Sequence, residues 1–264
     1  MKNIHEFKNW KKEGRKISMI TCYDAMTGRI VDESHIDVAL VGDSVAMVLH
    51  GFDSTIHATT EMMVLHTAAA ARTIKKKWIV ADLPFLSFRK GPVEALEVSA
   101  ALLRAGAHAV KLEGVRGHEK VVEVLVESGI PVMGHLGLTP QSALQLGGHK
   151  VQGRVIEEAQ KIEDDAVLLE KLGAFSIVLE CVPSDLARRV TQKLEIPTIG
   201  IGAGVDTDGQ VLVMHDMLGM QSAFKPKFLR CYAATEATLL EAFNTFAGDV
   251  KERRFPSIEE SYGA

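Results

Sequence analysis

Short apolar runs and longer segments of helical period alternate from one end of the chain to the other. The runs are Ile17–Thr21, Val38–Val41, Trp78–Ala81, Ala109–Leu112, Pro131–Met133, Ile177–Leu179 and Thr198–Ile201. Most are nearly continuous in Val, Ile and Leu, which is the pattern of parallel strands buried on both faces. Gln210–Met214 is the candidate for an eighth. Between them, helical spacing runs over Thr60–Ile74, Pro92–Arg104, Gly117–Ser128, Glu157–Lys171 and Pro183–Lys193, with a last helix over Tyr232–Phe246. Thr59 and Thr60 before Glu61 read as a cap. Pro92 suits a first turn, where a missing N–H costs least, and Gly106, Gly129 and Gly173 suit left-handed caps. About eight βα units with no linker between them predict an α/β fold, a single TIM barrel of (β/α)8 type over residues 1–264. An N-terminal helix over Lys2–Trp10 precedes the first strand, either closing the barrel floor or making a subunit contact. A doubly wound open sheet is the alternative, disfavoured by the lack of Gly-x-Gly-x-x-Gly after the first strand.

Composition narrows the partners. With 47% hydrophobic and 24% charged residues the chain is an ordinary globular one. Lys plus Arg total 30 against 34 Asp plus Glu, so no basic excess points to nucleic acid. The one tight basic run, Lys75-Lys76-Lys77, reads as a solvated helix end. No apolar stretch approaches the roughly 20 residues of a bilayer helix, so no membrane partner is expected. Cys22, Cys181 and Cys231 are scattered and unpaired in spacing, which speaks against a disulfide framework or a thiolate metal site and for a reducing, cytoplasmic setting.

The informative feature is where charge falls against the strand ends. Val38–Val41 runs into Gly42-Asp43-Ser44, Trp78–Ala81 into Asp82, and Ile177–Leu179 into Glu180. Ala109–Leu112 contains Lys111 and ends at Glu113, and Pro131–Met133 ends at Gly134-His135. In a barrel the carboxyl ends of all strands share one face, and that face carries the chemistry. Asp43, Asp82, Glu113, His135 and Glu180 are therefore expected to converge. Any one acid could simply cap the next helix. Lys111 also fits a buried ion-pair partner, His135 a satisfied core histidine, and Gly200–Gly204 a tight turn. Several carboxylates in one cleft are harder to dismiss. Like charges about 4 Å apart repel by about 4 kcal/mol at an effective dielectric near 20, and Lys111 offers one positive charge. A divalent cation answers this, and oxygen ligands without thiolates favour Mg²⁺ over zinc.

The order Thr21-Cys22-Tyr23-Asp24, Leu40-Val41-Gly42-Asp43-Ser44, Gly51-Phe52-Asp53-Ser54-Thr55 and Ala81-Asp82-Leu83-Pro84-Phe85 is distinctive. It continues with Ala109-Val110-Lys111-Leu112-Glu113-Gly114, Gly134–Gln141, Lys150–Arg154, Leu179-Glu180-Cys181-Val182-Pro183 and Ile199–Gly204. In these motifs the chain resembles the ketopantoate (3-methyl-2-oxobutanoate) hydroxymethyltransferases over nearly its whole length. The resemblance implies a barrel of the phosphoenolpyruvate/pyruvate-binding type. It implies transfer of a hydroxymethyl group from 5,10-methylenetetrahydrofolate to 3-methyl-2-oxobutanoate, giving 2-dehydropantoate and tetrahydrofolate on the way to pantothenate. It also implies a cytoplasmic homodecamer with one Mg²⁺ per subunit.

Carried over by residue, Asp43, Asp82 and Glu113 are expected to hold the metal. Asp43, Ser44, Asp82 and Lys111 are expected to contact the oxo acid, and Glu180 to accept its proton. The chemistry expected is a metal-stabilised enolate. A carbon–carbon lyase or mutase of the same barrel type, and a non-catalytic scaffold, are the competing readings. The first leaves the Gly134–Gln141 and Lys150–Arg154 motifs without a role, and the second predicts decay of an acid cluster that is intact.

Overall fold

A computed structural model describes residues 3–221 and 225–263. It separates into two compact units, Met1–Val213 and Met214–Ala264. The first holds eight parallel strands: β1 (Ile17–Thr21), β2 (Val38–Val41), β3 (Trp78–Asp82), β4 (Ala109–Glu113), β5 (Val132–Gly137), β6 (Ser176–Glu180), β7 (Thr198–Ile201) and β8 (Gly209–Leu212). They close in sequence order, β8 pairing with β1. The barrel expected from the alternating pattern is therefore present.

Strand parity decides what fills it. Successive side chains point to opposite faces of a sheet. One interior cluster collects Ile17 and Met19 of β1, Val38 and Leu40 of β2, Trp78 and Val80 of β3, Ala109, Met133, Val178, Ile199 and Val211. The same parity carried toward the carboxyl ends gives Asp82 on β3, Lys111 and Glu113 on β4, His135 on β5 and Glu180 on β6. Each of these strands thus turns from an apolar plug to a polar mouth along one face.

The helix His5–Lys12 closes the opposite end. Phe7 is fully buried in the interior cluster. Its ring lies 4.9 Å from Trp10, 5.4 Å from Trp78 and 4.9 Å from Phe175. Of the two expectations for this segment, the floor of the barrel is the one seen.

Outer helices follow local signals. Thr59 accepts from Met62 N–H at 3.2 Å and opens the helix Thr60–Thr73. Pro92 begins Pro92–Ala105, which ends on Gly106 in the left-handed region. The helix Ala25–Glu33 is short, burying Gly28, Val31 and Asp32 while Met26 and Ile30 face outward. It forms because Asp24 Oδ1 accepts from Thr27 N–H at 2.9 Å and because Gly28 lets it pack on Ala70 and Thr73.

Several strands run past their apolar runs. β3, β4 and β6 end on Asp82, Glu113 and Glu180, since backbone pairing continues while the charged side chain faces the mouth. β5 runs on through Gly134-His135-Leu136-Gly137, where Gly137 pairs with Glu180. A Cβ on Gly137, which sits at φ +92°, would lie 2.2 Å from the Glu180 carbonyl oxygen and 2.7 Å from Val182. Gly137→Ala is expected to cost roughly 2–3 kcal/mol, a fall of roughly 5–10 °C in melting temperature. Gly129→Ala, also at positive φ but with nothing within 4 Å of the added methyl, is the control and should fall less. Equal melting curves for the two variants would show that this contact carries no strain.

The second unit contains the helices Met214–Met217 and Thr235–Lys251, the latter with no buried residue. The longer helix overlaps the expected Tyr232–Phe246 but begins and ends later. Among the described residues no helix is long and apolar enough to cross a membrane.

Candidate active site

Four neighbouring strands bring the inward-facing charges into register. Asp82 lies opposite Lys111, Glu113 opposite His135, and Gly137 opposite Glu180. Lys111 Nζ stands 3.0 Å from Asp82 Oδ1 and donates to His135 Nδ1 at 3.3 Å. His135 Nε2 is 3.1 Å from Glu180 Oε2. That last pair is at hydrogen-bond distance with the N–H off the line of the oxygen, since Nε2 makes no aligned hydrogen bond. Asp43, just past β2, donates its backbone N–H to Asp82 Oδ2 at 3.1 Å. Beside it, Ser44 Oγ pairs with the Tyr23 hydroxyl at 2.9 Å. The structure therefore brings together Asp43, Ser44, Asp82, Lys111, Glu113, His135 and Glu180 at one mouth. Gly42 keeps it open, for a Cβ there would meet Ser44 Oγ at 2.8 Å and Asp82 Oδ2 at 3.6 Å.

The side chains of Asp82, Lys111, Glu113 and His135 are each no more than 6% exposed, so their charges interact through little water. Burial and the neighbouring charge of Asp82 push the Asp43 carboxyl up to about 7, against the pull of Lys111 and Gln141. Burial and Asp43 raise Glu113 well above the ordinary carboxylate range. Burial alone disfavours the Lys111 ammonium, but Asp82, Asp43 and Glu113 overcome it and hold Lys111 charged. Burial and Lys111 together push His135 well below its usual value, so the ring is neutral. Because its Nδ1 accepts from Lys111, its proton sits on Nε2, toward Glu180. Burial raises Glu180 to about 7, with Lys111 and His149 opposing. A carboxyl near neutrality at the rim of a cleft is suited to proton transfer.

The donor set suits a hard divalent cation. It is made of carboxyl oxygens, it sets three carboxyl groups against one ammonium, and the buried Asp82 Oδ1 makes no aligned hydrogen bond and lies 3.0 Å from Lys111 Nζ. Among the described residues no three His, Cys, Asp or Glu side chains are already gathered around one point as a metal site. Lys111 and Gln141 hold the carboxylates instead, Lys111 on Asp82 and Gln141 on Asp43 and Glu113.

Tyr23 and Gln141 are site residues that the strand-end reading missed. Neither is charged and neither ends a strand. Their only sequence signal is that each lies in a distinctive motif, Thr21–Asp24 and Gly134–Gln141.

Comparison with known proteins gives this mouth a context. Residues 1–258 match the family profile described as ketopantoate hydroxymethyltransferase. A 3-methyl-2-oxobutanoate hydroxymethyltransferase of Bdellovibrio bacteriovorus is 54% identical over 262 residues, covering 99% of this chain and 100% of that one. The chain belongs to the ketopantoate hydroxymethyltransferase family. A relative of the same name from Legionella pneumophila (strain Lens) is 52% identical over 98% of this chain and 99% of its own. Membership makes the protein an enzyme, a transferase of hydroxymethyl groups to 3-methyl-2-oxobutanoate in pantothenate formation.

Solved structures speak for the fold. Phosphonopyruvate hydrolase in complex with oxalate and Mg²⁺ superposes with a TM-score of 0.66 at 11% identity, over 98% of this chain and 93% of that one. 2,3-Dimethylmalate lyase, a member of the PEP mutase/isocitrate lyase superfamily, gives 0.60 at 13% identity, over 98% and 91%. The likeness is one of fold, a closed (β/α)8 barrel.

Proposed function

We propose that the enzyme takes its one-carbon unit from 5,10-methylenetetrahydrofolate and adds it to the enolate of 3-methyl-2-oxobutanoate at a Mg²⁺ site formed by Asp43, Asp82 and Glu113. One observation carries this reading. Ionisable residues from successive strand ends form a single buried chain of contacts around one ammonium, Asp43 through its backbone N–H to Asp82, then Asp82–Lys111–His135–Glu180 through side chains. When bound, the ion would draw electron density from the keto group and so acidify C3.

The chain's own residues do the rest. Lys111 is held charged beside Asp82, where it can meet the oxygens of the oxo acid. The Ser44 hydroxyl is fixed by Tyr23 and is available to the carboxylate. Glu180 takes the C3 proton, with His135 Nε2 3.1 Å from its carboxylate and the charges of Lys111 and His149 favouring its ionised form. Lys111 in turn keeps His135 in the tautomer that can do so. The barrel wall excludes water from the charged groups, so each of these interactions is stronger than it would be in solvent.

Assembly of several copies, as the family's homodecamers imply, fits the C-terminal helix. Thr235–Lys251 has no buried residue and exposes Leu240, Phe243 and Phe246, the kind of apolar surface that a neighbouring subunit covers.

The test is formation of 2-dehydropantoate from 3-methyl-2-oxobutanoate with and without methylenetetrahydrofolate, and with and without a chelator. Product should require the folate, vanish with the chelator and return with added Mg²⁺. Full activity in the chelator would remove the metal from the reading, and product without folate would remove the donor.

A further inference from the structure

Gln141 is tied to the site at three points. It lies in the turn Pro140–Ser142 after β5 and is 8% exposed. Its side-chain Nε2 donates to Asp43 Oδ2 at 2.8 Å and to the Leu83 carbonyl at 3.0 Å. Its backbone N–H donates to Glu113 Oε2 at 3.0 Å. One residue thus grips a carboxylate from the β2 exit and another from the end of β4, and anchors itself on the chain leaving β3.

The partners fix the orientation of the amide. Both side-chain N–H groups are aimed at acceptors, and the reversed amide would set its oxygen against a carboxylate and a carbonyl. The true Oε1 is buried and has no hydrogen-bond partner in the protein. Leaving such an oxygen unpaired in the interior is unfavourable, because it has given up water and gained nothing in return. The oxo acid cannot relieve it, since its carboxylate and keto groups carry acceptors only. Water can, and Mg²⁺ usually retains several waters.

We propose that Gln141 is a positioning residue for a hydrated divalent cation, orienting Asp43 through its amide and Glu113 through its backbone, with Oε1 accepting from a water that enters with the ion. The proposal rests on the reading that Asp43 and Glu113 face such an ion. Gln141→Met keeps the bulk and the backbone N–H but removes the amide. Gln141→Asn keeps an amide too short to span the same partners.

Mn²⁺ is the probe, its binding followed by loss of the free-ion electron paramagnetic resonance signal, without substrate. Melting temperature is recorded on the same samples. Gln141→Met should raise the Kd for Mn²⁺ about 10–100-fold, the range seen when a partner of a ligand is lost. Gln141→Asn should do the same to a smaller extent, and excess Mn²⁺ should restore turnover in both. A folded variant that binds Mn²⁺ as tightly as the wild type overturns the role given to Gln141, even if its melting temperature falls. Should Gln141→Met not fold, Gln141→Asn decides by the same criterion. A wild-type enzyme that fails to bind Mn²⁺ overturns the cation reading itself, and the two failures are told apart by which protein shows them.

Discussion

Asp82→Asn is expected to lose divalent-cation and oxo-acid binding together. The carboxylate does two things in the buried mouth. Oδ2 accepts the backbone N–H of Asp43 at 3.1 Å, and Oδ1 is the ion-pair partner of Lys111 at 3.0 Å. An amide can keep the first contact, since its oxygen still accepts. It cannot keep the second, because its charge is gone and its NH₂ group would face the ammonium. Removing one partner of a buried pair costs about 3–5 kcal/mol, because the other charge stays buried and uncompensated. That corresponds to about two to four orders of magnitude in an equilibrium constant. The expected result is a loss of that order in the affinity for Mg²⁺ by calorimetry, with a parallel rise in the KM for 3-methyl-2-oxobutanoate. A variant with wild-type turnover and wild-type Mg²⁺ dependence would end the assignment of Asp82 to the metal.

Much of this mouth is legible in the sequence alone. Asp82, Glu113 and Glu180 each follow directly on an apolar run, and a closed parallel barrel sends the ends of all such runs to one face. Lys111 stands out because an ammonium inside a strand needs a carboxylate in register, and Asp82 is that residue. The strand boundaries are less legible for the same reason. Hydrophobicity ends at Ala81, Leu112 and Leu179, while the ladder goes one residue further because backbone pairing is indifferent to the side chain. β5 shows this most strongly, running four residues past Met133.

Residues that act by holding others are harder to find. His135 reads first as a satisfied core histidine, and only its two nitrogens, seen between Lys111 and Glu180, place it in the site. Gln141 is uncharged and sits in a turn far along the chain from Asp43, so neither periodicity nor charge marks it. The helix Ala25–Glu33 escapes because it is short and leans on a side-chain cap and a glycine contact with the next helix.

Glu180→Gln separates binding from proton removal. In the wild type the C3 proton of the oxo acid should exchange with deuterated water when the metal is present and the folate is absent. Glu180 must be ionised to take that proton. Burial raises it to about 7, with Lys111 and His149 acting the other way. The working form is the deprotonated one, so exchange should rise with pH, reach half its plateau near the group's pKa and be about one-hundredth of the plateau two pH units below it. The amide that replaces the carboxylate has no basic oxygen, and exchange should fall to about 10²–10⁴-fold below the wild-type plateau, with the step near neutrality gone. Binding should survive. The nearest contact of Glu180 at the mouth is with the neutral His135 ring, Nε2 at 3.1 Å, whereas Asp82 holds Lys111 and Gln141 holds Asp43. The amide oxygen can face His135 Nε2 as the carboxylate does, and the tautomer of the ring is set by Lys111 on its other side. Calorimetry should therefore give an oxo-acid affinity within a few-fold of the wild type, a change of under about 1 kcal/mol. Exchange at the wild-type rate in this variant would take the proton-acceptor role away from Glu180. Loss of exchange together with loss of oxo-acid binding would instead make Glu180 part of the binding site and leave the base to another group at the mouth.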